Sequence, residues 1–247
     1  VRTLANLPFV HRFDILVRGG VRYLIACTLK SDHEYKDDWR FPGKVYVAEL
    51  PEDLSRFDEE HPLALEVLQD GLTKNHGYYR VMEGDTPTAV ISAEQGVFQF
   101  FPPAERGGCW VINPLLDTPA SDAVLTDLDG DGEKELAVIS PFHGDAITIY
   151  KKQDGEFQKV YAYEEPAEFS HAIYGGPVCG KNMVIIGHRK GRRNLLAFDY
   201  ENGSYRCQTL DEDCGPANVY VYEKDGATIV ISTNREIDEA ARYQITM

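Results

Sequence analysis

Asp127-Leu128-Asp129-Gly130-Asp131-Gly132-Glu133-Lys134-Glu135-Leu136 runs directly into the apolar segment Ala137-Val138-Ile139. Acidic residues at alternate positions, with glycines between them, let a short loop curl its oxygens around a hard cation. Calcium takes six to eight oxygen ligands at about 2.3–2.6 Å. The carboxylates of Asp127, Asp129, Asp131 and Glu135, with a backbone carbonyl near Glu133, supply most of such a shell. The loop lacks the position-twelve glutamate of an EF-hand, and β-branched residues follow it instead of a helix. An acidic turn that holds no metal is the plainer alternative.

The strand after the loop is one of a series. Short segments rich in Val, Ile, Tyr and Phe recur between Gly, Asp and Pro turns, and no amphipathic helix is evident. A second strand of each unit is read at residues 23–27, 89–92, 137–140, 184–187 and 229–232. Third strands follow at 45–48, 97–100, 147–150, 195–198 and 242–245, and fourth strands at 65–68, 110–115, 159–163 and 205–210. The steps from His76 to Asp122, His171 and Asn218 are 46, 49 and 47 residues, a period suited to propeller blades. The first interval is longer because of insertions around 31–41 and 51–61.

With its flanking strands, the acidic loop resembles the calcium loop of FG-GAP/VCBS-type β-propeller repeats. That resemblance implies a metal pinning the hairpin between a blade's first two strands, in a structural and not a catalytic role. The expected fold is all-β: one five-bladed β-propeller of four-stranded antiparallel blades at residues 9–72, 73–118, 119–166, 167–213 and 214–247 plus 1–8. The fifth unit ends after its third strand, so residues 1–6 are expected to pair onto it and close the ring, removing open edges. A fragment of a larger propeller is the competing reading.

Aligning the first strands puts His11, His76, Asp122, His171 and Asn218 in one column. Innermost strands line a propeller's axis, so His11, His76, His171 and Asp122 are candidate ligands of a second divalent metal, Mn, Zn, Fe or Ni. Ends of second strands return to the same face. They add Thr28, Glu94, Phe142, Arg189 and Asn234, flanked by Gln95, His143, Lys190 and Arg235, with His188 also on this rim. The insertion at 30–44, with His33, Trp39 and Arg40, overhangs it. Each residue has a plainer role: a satisfied histidine, a solvated turn, an aromatic anchor, or a polar channel holding water.

Composition narrows the function. The chain has 247 residues and a net charge of −15, which argues against nucleic-acid binding. No run of about 18 apolar residues is present to cross a membrane as a helix. No leader is visible, although the chain starts at Val1 and a removed leader stays open. Five cysteines without CxxC spacing point away from disulfide frameworks and zinc knuckles, and lean toward a reducing, cytoplasmic setting. Cys27 and Cys179 read as buried thiols. The basic island Arg189, Lys190, Arg192 and Arg193 suits a carboxylate or phosphate, or is a solvated turn.

No nucleophile elbow, P-loop, HExxH or GxGxxG occurs. The propeller resemblance extends to sugar-binding proteins, polysaccharide lyases and a keto-sugar dehydratase. It implies a small-molecule or oligosaccharide partner, and a metal-dependent carbohydrate lyase, dehydratase or isomerase. His143 is then the first candidate base, with His188 or Glu94 behind it, and Arg189 or Arg235 orients an anionic or keto group. Gln95, Asn218, Asn234, Lys190 and Trp39 are candidate substrate contacts. Glycosidase chemistry needs two opposed carboxyl groups and is less supported. A non-catalytic lectin or interaction propeller is the alternative, and the second column's variation between units favours a single asymmetric site over repeated ones.

Overall fold

The computed structural model describes residues 2–246, and within these the chain is all-β apart from one three-residue 3-10 turn, Arg235–Ile237. Nineteen strands form five antiparallel sheets, in each of which strands adjacent in sequence are adjacent in space. The first sheet holds β1 (Val10–Arg18), β2 (Val21–Thr28), β3 (Gly43–Leu50) and β4 (Glu66–Leu72). The second holds β5 (Gly77–Glu83), β6 (Thr86–Ala93), β7 (Gly96–Phe101) and β8 (Val111–Leu116). The third holds β9 (Asp122–Thr126), β10 (Glu135–Ser140), β11 (Ala146–Gln153) and β12 (Glu156–Ala162). The fourth holds β13 (Ser170–Val178), β14 (Lys181–His188), β15 (Leu195–Glu201) and β16 (Ser204–Asp211). The fifth holds β17 (Pro216–Lys224), β18 (Ala227–Asn234) and β19 (Glu239–Ile245).

The chain divides into two compact units at the Ala120–Ser121 junction, which falls between the second and third sheets. In the first unit, Leu16, Ile25, Val45, Leu72, Ile91 and Phe100 are fully buried in one cluster that joins two sheets. Asp14 of β1 accepts hydrogen bonds from Tyr78 Oη and Arg80 Nε, both at 2.8 Å, adding a polar tie between them. In the second unit, Ile185, Leu195, Ala197 and Val230 pack together, again across two sheets. The second strands, β2, β6, β10, β14 and β18, are nearly all buried, which is why their sequences read as continuous apolar runs.

Close packing between sheets of the second unit depends on missing side chains. A Cβ at Gly187 would lie 2.5 Å from Pro216 Cβ, and one at Gly175 would lie 2.7 Å from Val124 Cγ2. Such approaches bring β14 against β17 and β13 against β9.

Two expectations are corrected. The expected closing strand does not form over residues 2–6: these carry no strand, and the Leu4 carbonyl accepts instead from the Leu63 N–H at 2.7 Å. The insertion at 51–61, lengthening the first unit's loop, supplies that competing partner region; Thr3 Oγ1 also donates to Glu59 there. The fifth sheet has three strands among the described residues, and Val1 lies outside them. Cys179 is only half-buried, because it sits in the β13–β14 turn with a φ of +50°, while Cys27 is buried as expected.

Candidate functional site

Strand register decides what each inner strand presents at its start. Val10 faces Thr28, Ser170 faces His188 and Pro216 faces Asn234, and the ladder resumes at Arg12, Ala172 and Asn218. The residue between is extra: a bulge recurs at His11, His171 and Ala217. The residue equivalent to the two histidines in the fifth sheet is therefore Ala217, not Asn218. Asn218 is back in the ladder and exposed, with its Oδ1 accepting the Val219 N–H at 3.0 Å.

Each unit brings imidazoles together. In the first, the His11 and His76 rings lie 4.5 Å apart, with His76 almost fully buried. In the second, His143 is stacked on Phe142 at 4.0 Å and lies 4.4 Å from Phe169 and 5.3 Å from His171. His171 Nδ1 lies 2.7 Å from the Ala217 carbonyl. A carbonyl only accepts, so Nδ1 carries a proton, and the contact fixes the ring's orientation. His143 sits in the β10–β11 turn at a φ of +49°, its N–H donating to Ser121 Oγ. Asp122 is buried at the start of β9, and its Oδ1 accepts the Ala123 N–H.

Several predicted rim residues have other work. His188 is buried; Nδ1 donates to the Lys190 carbonyl at 3.0 Å and Nε2 accepts the Asn194 N–H at 3.1 Å. Burial pushes its pKa below the usual imidazole value, and both nitrogens are spent, so it braces a turn instead of acting as a base. Asn234 is fully buried, donating to Glu239 and Tyr243 and accepting from Ser232. Thr28 is buried too. Gln95 closes a turn onto Thr73 through both side-chain atoms, and Glu94 pairs with Lys74. Trp39 lies under the ammonium groups of Lys30 and Lys74, at 4.9 and 5.6 Å, as an anchored aromatic.

Arg189 donates twice to Glu236 Oε1 and lies 4.8 Å from the Phe169 ring centre, with Lys190 Nζ at 5.2 Å from the same ring. His143, Phe169, Lys190, Asp145 and Glu168 line an open depression of about 330 Å³. Arg235 is exposed at the start of the short 3-10 turn.

The acidic loop joins β9 to β10, at the opposite end of those strands from Asp122, which pairs with Ile139. Gly130 and Gly132 take φ values of +77° and +94°, conformations that glycine adopts without strain. Their N–H groups donate to the two oxygens of Asp127, and the Leu128 N–H donates to the buried Glu135 Oε2. Ligand atoms of Asp127, Asp129 and Glu135 all lie within 4.8 Å of one another, an all-oxygen set that suits a hard divalent cation. Asp131 and Glu133 are exposed at the loop's outer edge. Lys151 of β11 reaches the same group: it donates to Asp129, to Asp131 at 2.6 Å and to Glu135 at 3.3 Å.

Burial works against the Lys151 charge, but these three hydrogen bonds outweigh it and raise the ammonium above ordinary lysine. The bond from Lys151 holds the Asp131 carboxyl low. Burial pushes Glu135 up, opposed chiefly by the Leu128 N–H.

A cavity of about 780 Å³ lies elsewhere in the second unit, beside β12 and β16. Tyr161, Tyr163 and Tyr205 form its aromatic surface, and Glu165, Arg192, Arg206 and Asp213 surround them. Tyr163 stands edge-on to buried Phe198 at 5.6 Å, and Tyr205 to Tyr200 at 4.8 Å. A second cavity of about 450 Å³ shares Tyr161 and Tyr205 and extends the groove to Asp129 and Lys151. The strands here are evident in the sequence, whereas the groove between them is not. The signal was Tyr161-x-Tyr163, whose period of two puts both rings on one face.

No protein-family model matches this sequence, and no curated protein does. Among solved structures, the chain is similar to an ancestral GH74 enzyme, with 14% identity and a TM-score of 0.55, over 98% of this chain and 42% of that one. It is similar to the AfRom2 CNH domain at 14% identity and a TM-score of 0.51, over 100% of this chain and 76% of that one. A Bombyx mori GH32 beta-fructofuranosidase, BmSUC1, aligns at 13% identity and a TM-score of 0.49, over 94% of this chain and 56% of that one. The chain thus spans less than half of the GH74 chain and just over half of the fructofuranosidase. At these identities the likeness to the GH74 enzyme and the CNH domain is one of fold.

Proposed function

We propose that this chain is a five-bladed β-propeller that binds carbohydrate in the tyrosine groove beside β12 and β16. The observation that carries this reading is the cavity of about 780 Å³ in which Tyr161, Tyr163 and Tyr205 stand among carboxylates and guanidinium groups. Its size falls within the usual range for small-ligand sites. Aromatic faces receive the apolar C–H faces of sugar rings, and the flanking charged groups bond their hydroxyls. The fold likeness to a GH74 enzyme supports a carbohydrate setting. The acidic loop is read as a cation cage with a structural role, calcium being the divalent ion its oxygens suit.

The test is binding of a panel of neutral and acidic oligosaccharides, measured by calorimetry on the intact chain and on Tyr163→Ala and Arg192→Ala. Binding that weakens about tenfold or more in both variants supports the groove, since one aromatic or charged contact is worth about 1–2 kcal/mol. Binding unaffected by either variant overturns it.

A metal-dependent lyase, dehydratase or isomerase is the second reading, and the paired imidazoles favour it. His171, its ring fixed by the Nδ1 contact to the Ala217 carbonyl, and His143, 5.3 Å away, offer ligand and base in one unit. A transition metal retained by purified protein, with turnover lost in His171→Ala, is the outcome this reading requires. Protein that holds no transition metal and turns over no uronic or keto sugar removes it.

A further inference from the structure

We infer that the ammonium of Lys151 is the cation the acidic loop already holds, and that a divalent metal enters only by displacing it. The inference rests on the loop being a cation cage and is independent of the carbohydrate reading.

Lys151 stands on β11, whose neighbour Tyr150 pairs with Leu136 at the loop's exit. That register delivers the side chain to the cage from the side. An ammonium has three N–H donors and no acceptor. Here three carboxylates receive it: Asp129, Asp131 and Glu135. Two of the three belong to the set whose ligand atoms converge within 4.8 Å. The side chains of Lys151, Asp129 and Glu135 are 19%, 12% and 0% exposed, so the contact is screened far less than a surface pair.

The rest of the loop is held by hydrogen bonds. Both oxygens of Asp127 take backbone N–H groups from Gly130 and Gly132, and Glu135 takes the Leu128 N–H and the Tyr205 hydroxyl. A calcium ion needs the same carboxylate oxygens at about 2.3–2.6 Å. Sharing those oxygens would place two cations within a few ångströms of each other, so the ammonium and the metal exclude one another. Displacement is possible because Lys151 borders the smaller cavity lined by Tyr161, Tyr200 and Tyr205, into which its chain can swing.

Without Lys151, the four carboxylates of the cage, Asp127, Asp129, Asp131 and Glu135, lose the ammonium that three of them share. The loop then depends on a metal. The experiment titrates CaCl2 into the intact protein and into Lys151→Met by calorimetry, and follows the thermal midpoint of each with EDTA and with calcium. The expected result is at least about tenfold tighter calcium binding by the variant, the scale of one removed charge in a partly buried site. The variant's midpoint should fall in EDTA and recover with calcium, while that of the parent chain stays nearly constant. Lys151→Arg, which keeps the charge, should behave like the parent. If Lys151→Met fails to fold even with calcium, Lys151→Gln is judged by the same criteria. Equal calcium affinity in parent and variant, or no calcium binding by the variant, overturns the inference.

Discussion

The hydroxyl of Tyr205 donates to Oε1 of Glu135 across 3.2 Å, joining the outermost strand of the fourth sheet to the first residue of β10. One side chain thus belongs both to the groove wall and to the acidic loop. Tyr205→Phe keeps the ring and removes only this bond. A hydrogen bond to a charged group is worth about 1.5–3 kcal/mol. Urea unfolding should register a loss in that range, and an unchanged midpoint would mean the contact contributes nothing.

Asp199 is buried between Lys181 and Arg206, with Lys181 Nζ at 2.8 Å and two bonds from Arg206. Burial raises its pKa, but the hydrogen bonds from Arg206 and Lys181 outweigh this and hold it below the usual carboxylate value. A depressed folded pKa gives stability that is present above the unfolded value, about 3.9, and disappears as pH falls through the folded one. Acid titration of the parent chain should therefore be steeper below about pH 4 than that of Asp199→Asn. The variant should also be less stable at neutral pH by about 1.5–3 kcal/mol, the worth of a hydrogen bond to a charged group, since Lys181 and Arg206 are themselves partly exposed.

His188 gives a pH dependence in a different window. Its imidazole is buried and its folded pKa lies below the ordinary value of about 6.5. Between the two values the unfolded chain binds a proton that the folded chain does not, so stability rises with pH there and falls on acidification below about 6.5. His188→Gln should flatten this slope, as seen in denaturation midpoints measured from pH 7.5 to 5. An unchanged slope would assign the dependence to another group.

Gly187 has no room for a methyl group, with Pro216 Cβ 2.5 Å from where it would sit. Overpacking of this kind destabilises by about 1–3 kcal/mol. Gly187→Ala should lower the thermal midpoint accordingly, whereas Gly203→Ala, in an open turn with a φ of +81°, tests backbone strain alone.

Much of the fold was legible because β-branched runs and turn residues recur at a blade-like period. All of the second, third and fourth strands read from sequence overlap strands of the structure. The acidic loop was legible as a hairpin turn for the same reason. What escaped was register. A single extra residue at His11, His171 and Ala217 leaves the surrounding pattern intact, so a column drawn by eye slips by one in the last unit. Lys151 lies sixteen residues beyond Glu135, and only the pairing of Leu136 with Tyr150 brings it to the loop. The tyrosine groove was hidden for another reason: it is made by outer strands of neighbouring sheets, whose sequences carry no shared motif. His188 and Asn234 were misjudged because a polar residue at a strand end reads the same whether it braces a turn or faces solvent.

The extra residue at the head of β1, β13 and β17 carries a further consequence. Since it stands outside the ladder, its identity can be exchanged without rewriting the hydrogen bonds on either side. Histidine fills that socket twice and alanine once in this chain. Each of these three sheets therefore offers a plug-in position at which selection, or a protein engineer, can vary chemistry while the scaffold beneath is left alone.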